Sequence, residues 1–112
     1  MTMNTIDLTE LTGGGKVQNL SGRLRGLAAR KMYHLDAFDL AEAPVRVIVP
    51  DYVYSLTPSF FQGLFGQSVQ ASGNDSEKFF QHFEFIAPPS VLQQIERGLS
   101  AVLTSRDLGA IH

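Results

Sequence analysis

The sequence contains no cysteine, which removes disulfides, thiolate catalysis and cysteine-ligated zinc together. It contains no apolar run of about 18 residues, so no transmembrane helix and no membrane partner are expected. No basic-then-apolar stretch of the signal-peptide kind opens it, and the expected location is cytoplasmic. Neither sign of charge dominates: 9 Lys and Arg stand against 11 Asp and Glu, for a net charge of −2. That balance argues against a general nucleic-acid binder and leaves room only for a local basic patch. Internal repeats and low-complexity segments are absent.

The common chemical motifs are missing as well. Gly13-Gly14-Gly15-Lys16 invites a phosphate-loop reading, but Glu10 stands where the first glycine of that pattern belongs and Val17 where its Ser or Thr belongs. The dinucleotide pattern fails at Gln18. No G-x-S-x-G elbow occurs. The histidines are His34, His82 and His112, far apart, and only His82-x-Glu84 has ligand-like spacing. No metal, cofactor or catalytic set is therefore expected, and the chain is not read as an enzyme.

What is present is enough for one domain. The 112 residues are 44% apolar, with a core expected over about residues 3–104 and a frayed tail over 105–112. A chain this short buries a modest fraction of its surface, so self-association would help it. The organising stretch is Val45 to Val69. VRVIV is β-branched at four of five positions and reads as a buried central strand. Pro50 and Asp51 stop it. Thr57 then caps a helix with Pro58 at its first position, where a missing N–H costs nothing. Phe60, Phe61, Leu64, Phe65 and Val69 share one face at helical spacing. Gln62, Gly63, Gly66, Gln67 and Gln70 share the other.

Around it, residues 3–8 read as a first strand, suited to an edge, and Thr12–Lys16 as a flexible loop. Leu20–Leu35 reads as a helix capped by Ser21, with Leu20, Leu24, Leu27, Ala28 and Leu35 along its core side. Five of the nine basic residues fall between Lys16 and Lys31, and no acid lies between Leu11 and Leu35. This charge is either a solvated face answered by Asp36, Asp39 and Glu42, or a docking surface for an acidic partner or an anionic ligand. Residues 36–44 form a polar connector with room for one helical turn, pinned to the core by Leu35, Phe38 and Leu40. Asn74 or Asp75 is placed to cap a short helix through Phe80. His82–Ile86 alternates as a third strand with Phe83 and Phe85 inward. Ser90–Thr104 reads as the last helix, with Ser90 and Gln93 as a capping box. The order β-α-β-α-β-α calls for a mostly parallel or mixed sheet of three to five strands, with three main helices covering it.

The strand Val45–Val49 and the run Ser55-Leu56-Thr57-Pro58-Ser59-Phe60-Phe61-Gln62-Gly63-Leu64-Phe65-Gly66 resemble the STAS-like domains of unknown function. These are small bacterial relatives of the STAS fold of anti-sigma factor antagonists, and the resemblance covers roughly Ile6 to Val102. It implies a small α/β domain and a regulatory interaction module. The implied partner is a histidine-kinase-like ATPase. In the antagonists this strand-to-helix turn carries a regulatory phosphoserine in an Asp-Ser-Ser-Gly-Leu-Gly run. Here Leu56 stands near the Asp, Thr57-Pro58 near the Ser-Ser and Ser59 near the Gly.

A helix N-terminus favours negative charge, so Thr57 and Ser59 are candidate phosphorylation sites, and a simple capping role is the alternative. Ser55, Gln62, Gly63, Gly66 and Gln67 are the candidate partner surface. Their glycines let a second backbone come close, whether from a partner, a second copy or a loop of the same domain. A second functional reading is nucleotide or anion binding by the Gly13–Gly15 loop, Arg23, Arg25 and Arg30, and the Thr57 turn.

Overall fold

A computed structural model describes residues 4–111 and the side chains of residues 4–104. The elements in chain order are β1 (Asn4–Asp7), β2 (Asn19–Leu20), α1 (Arg23–Met32), α2 (Leu35–Leu40), β3 (Val45–Ile48), β4 (Ser55–Leu56), α3 (Pro58–Ala71), α4 (Ser76–His82), β5 (Phe83–Ile86) and α5 (Pro89–Ile111). The class is α/β, as expected. The β-branched strand β3 is central in a parallel three-stranded sheet of order β1-β3-β5. Ile6 pairs with Val47, and Val47 with Phe85. A second, two-stranded parallel pair joins β2 to β4.

The sheet steps in one direction at each crossover. Crossovers of the same hand then lie on the same face, and the burial pattern follows. Ile6, Leu8, Val45, Val47, Val49 and Phe83 are buried on the helix side. Thr5, Asp7, Glu84 and Ile86 are exposed on the other, with Arg46 and Ile48 half-buried. The expected covering by helices is thus one-sided. On the open face Arg46 and Glu84 stand opposite each other across β3 and β5 and form an ion pair at 3.3 Å.

Helix α3 is the hub. Phe60, Phe61, Leu64, Phe65 and Val69 are all buried, and Phe61, Phe65, Phe79, Phe83 and Phe85 stack edge-on or tilted, with the Phe65 and Phe83 centroids 5.3 Å apart. Such pairs add to the area term. Its N-terminus forms as its sequence predicts: Thr57 is the N-cap, its hydroxyl accepts from the Phe60 N–H at 3.3 Å, and Pro58 follows. Thr57→Ala is expected to lower stability by about 1 kcal/mol, read as a fall of roughly 5 °C in a thermal melt. Asp75, rather than Asn74, caps α4 by accepting from Glu77 and Lys78 N–H groups.

Helix α1 departs most from expectation. It begins at Arg23 behind Gly22, whose φ is 91°, with no side-chain cap from Ser21. Leu20 belongs to β2 and Leu35 to α2, and both are buried there. The buried residues of α1 are Gly26, Ala29 and Arg30, while Leu24 is 81% exposed. The reason is close packing. Gly26 of α1 and Gly63 of α3 face each other, so a Cβ on Gly26 would overlap the Phe60 carbonyl and stand 2.9 Å from the Leu64 nitrogen. Small residues at this crossing let the two backbones touch, and Leu24 is turned outward.

The last helix starts at Pro89, one residue before the expected Ser90. The Pro88 carbonyl accepts from Leu92 N–H, and no Ser90–Gln93 capping box forms. The helix runs on to Ile111 rather than ending at Thr104. The side chains of the expected 105–112 tail lie outside the described residues.

Candidate docking groove on the central helix

The turn before α3 is held from two sides, by the β2 segment and by α5. Tyr54 N–H donates to Gln18 O at 3.0 Å, Thr57 N–H to Leu20 O at 2.9 Å, and Leu56 N–H to the Gln94 side-chain oxygen at 2.7 Å. These bonds fix the angle at which Thr57, Pro58 and Ser59 enter the helix. Ser59 and Pro58 are exposed, Ser55 and Thr57 half-buried. The Thr57 and Ser59 hydroxyls lie 3.4 Å apart at the helix start.

Beyond that turn, α3 is covered by α1 on one flank and α5 on the other, which leaves a narrow strip uncovered. It consists of Ser59, Gln62, Gly66 and Gln70, spaced three and four residues apart and therefore stacked along one line. With Arg23 of α1 and Val102 of α5, Gln62, Gly66 and Gln70 line a cavity of about 210 Å³. Among the described residues, a Cβ on Gly66 would meet nothing within 4 Å. The strip is polar, shallow and open at Gly66.

The residues singled out in the sequence separate here into groups. Ser55, Thr57, Ser59, Gln62 and Gly66 share the turn and groove, and Arg23 joins them. Gly63 does not: it is buried, and a Cβ there would overlap the Arg23 carbonyl and stand 2.8 Å from the Leu27 nitrogen. The close backbone its glycine admits is α1 of this same chain, which removes it from any partner surface. Gln67 is exposed to one side of the strip, where it borders a wider cavity of about 520 Å³ with Leu27, Arg30, Lys31, His34 and Asp36 and shares a further hollow with Gln70.

The three arginines of the expected anion site do not converge. Arg23 lines the groove, and Arg25 borders a separate hollow with Leu11 and Val17. Arg30 is buried: it donates to Leu64 O at 3.1 Å and to Ser68 Oγ at 2.9 Å, and it pairs with Asp36 at 2.7 Å and with Asp39. Its charge is answered inside the protein, as the Asp36 and Asp39 alternative anticipated, so it is not free for a ligand. Gly13, Gly14 and Gly15 all have positive φ, and the loop packs toward Tyr52, whose hydroxyl bonds that of Thr12.

Two ionisable groups are perturbed, both for structural reasons. The Asp7 carboxylate accepts from Thr9, and this hydrogen bonding holds its pKa below the usual value. Burial pushes the Tyr33 hydroxyl up, and that hydroxyl donates to the Asp7 carbonyl at 2.9 Å. Neither group lines the groove. Among the described residues no group of three or more His, Cys, Asp or Glu is placed to hold a metal ion, and no helix is long and apolar enough to cross a membrane.

The partner surface drawn from the sequence left out Gln70, Val102 and Gln94. Gln70 carried a signal, since it continues the line of Gln62 and Gly66. Val102 and Gln94 sit on α5, and only the packing of α5 on α3 brings them to this site. A scan against protein-family models matches none, and searches of curated proteins and of solved structures find no significant match.

Proposed function

We propose that the chain is a non-enzymatic regulatory module that docks a protein partner through the Ser55–Ser59 turn and the Gln62–Gly66–Gln70 strip of α3. The observation that carries this reading is the uncovered strip itself. A helix that is otherwise the hub of the core leaves one polar line open, with space above Gly66 among the described residues and, on its rim, Arg23, which makes no ion pair among the described residues. The resemblance of the turn and helix to STAS-like domains supports the same choice, and by that resemblance the partner is a histidine-kinase-like ATPase. Phosphate on Ser59 is the proposed control. It would place nearly two negative charges in the first turn of α3, where the helix dipole tolerates them, and at the mouth of the groove, where a partner would meet them.

The test uses affinity capture from the lysate of the native host, followed by intact-mass analysis. Gly66→Arg fills the groove at a position with no neighbour, so the variant is expected to melt within about 3 °C of the parent while losing an ATPase-like partner that the parent retains. Ser59→Asp is expected to weaken the same capture. A folded Gly66→Arg protein that retains that partner in full would rule this groove out.

A further inference from the structure

The outward face of α1 is the less expected surface. Leu24, Ala28 and Met32 follow one another four residues apart and all are exposed, Leu24 at 81% and Met32 at 48%. Surface helices ordinarily turn such a stripe to the core. Here the core side is taken by Gly26, Ala29 and Arg30, and the apolar stripe is left in water. Beside it lies a mostly apolar hollow of about 340 Å³, lined by Leu11, Val17, Leu20, Arg25, Ala28 and Phe60. Leu20 and Phe60 form its buried floor, and Val17 is 37% exposed at its edge. Ridge and hollow together form an apolar surface with relief.

Charge says what fits it. Arg25 borders the hollow, Lys31 flanks the ridge on its other side, and Lys16 precedes Val17. None of the three makes an ion pair or hydrogen bond among the described residues, in contrast to Arg30 and Arg46. Exposed apolar side chains between unpaired cations are complementary to apolar side chains between carboxylates. We propose that this face binds an acidic amphipathic helix of a partner protein. One of its apolar side chains enters the hollow, others pack along Leu24 and Met32, and its flanking Asp or Glu residues meet Arg25 and Lys31, the helix-in-groove mode of recognition.

Other occupants fit less well. A second copy placed on this face by a two-fold axis would set cation against cation. An anionic lipid surface offers no side chain to fill a hollow, and the net charge of −2 opposes it. Nucleic acid is opposed by the same net charge, and the ring that lines the hollow, Phe60, is buried and not free to stack on a base. The proposal stands apart from the α3 groove: α3 contributes only buried Phe60 to the floor of this hollow, and the hollow and the groove share no lining residue.

A peptide-display selection on the intact protein tests it, with a random 16-residue library as probe. The expected winners carry Leu, Ile or Phe at helical spacing with Asp or Glu beside them. Their affinity is expected to fall roughly tenfold with Leu24→Glu and with Arg25→Glu, and to weaken as salt rises. Lys78→Glu, a charge reversal on α4, is expected to leave it within about twofold. Leu24 is so exposed that its variant should fold, and Met32→Glu provides a second probe of the same ridge. Winners without the acidic pattern would overturn the proposal, as would winners that bind Leu24→Glu and Met32→Glu undiminished. So would flotation of the protein with phosphatidylglycerol vesicles when no acidic peptide is selected, because that outcome assigns the face to lipid.

Discussion

Gly63→Ala is expected to lower stability by about 2–4 kcal/mol, while Gly66→Ala, three residues along the same helix, is expected to raise it by about 0.5–1 kcal/mol. The intrinsic term is the same for both: alanine is a better helix former than glycine by about 1 kcal/mol. The surroundings decide the sign. At Gly66 the new methyl meets nothing within 4 Å. At Gly63 it would stand 2.8 Å from the Leu27 nitrogen and 3.0 Å from the Gly26 carbonyl carbon. Those are backbone atoms of α1, which cannot rotate aside as a side chain can. The helices must separate along their whole contact, so the loss spreads to Ala29 and to the hydrogen bonds of Arg30. Thermal melts of the two variants should differ by roughly 15 °C or more, with Gly63→Ala the lower. Equal melting temperatures would mean that α1 is not seated on α3 in this way.

That crossing also explains why α1 was misread. Hydrophobic periodicity scores apolar side chains, so Leu24, Leu27 and Ala28 read as the inner stripe. A close helix crossing is built from residues with little side chain at all, and glycine has no signature in such a count. Arg30 is hidden for a related reason. A buried arginine needs acceptors, and two of its four, Leu64 O and Ser68 Oγ, are more than thirty residues away in sequence. By contrast, β3, α3, β5 and most of α5 were legible because they follow local rules. A β-branched run, a Thr-Pro cap, an alternating Phe pair and a long apolar stripe each act within a few residues.

The pair β2–β4, two residues in each strand, has no period to read. The open face of the sheet was hidden too, since it depends on strand order rather than on what any strand contains. The groove was legible in part for the same physical reasons. Gln62 and Gly66 lie opposite the Phe stripe and are found outside. Gly63 sits at the edge of that stripe, and only the position of α1 decides its side.

Arg30→Met is expected to cost about 3–5 kcal/mol, a large share of the stability of a domain this size. The guanidinium joins three elements: it starts on α1, bonds Leu64 and Ser68 of α3, and pairs with Asp36 and Asp39 of α2. The cost does not come mainly from the lost attraction. The Asp39 side chain is only 8% exposed, and its Oδ1 already has no hydrogen-bond partner. Without Arg30 that carboxylate is a buried charge with nothing to answer it. Asp36, at 85% exposed, is solvated either way, so Asp36→Asn is expected to cost less than about 1 kcal/mol.

A double-mutant cycle separates these contributions. Combining Arg30→Met with Asp39→Leu removes both charges, and the pair is expected to recover about 2 kcal/mol or more relative to the sum of the single variants, measured by urea unfolding. Additive losses would show that Arg30 acts only through Leu64 and Ser68. If the coupling is found, Arg30 is an internal strut, and Lys16, Arg23, Arg25 and Lys31 are the cations of this basic stretch left to face outward. Only these four can then be answered by another molecule, and they divide between two surfaces. Arg23 borders the α3 groove, while Arg25 and Lys31, with Lys16 before Val17, belong to the apolar ridge of α1.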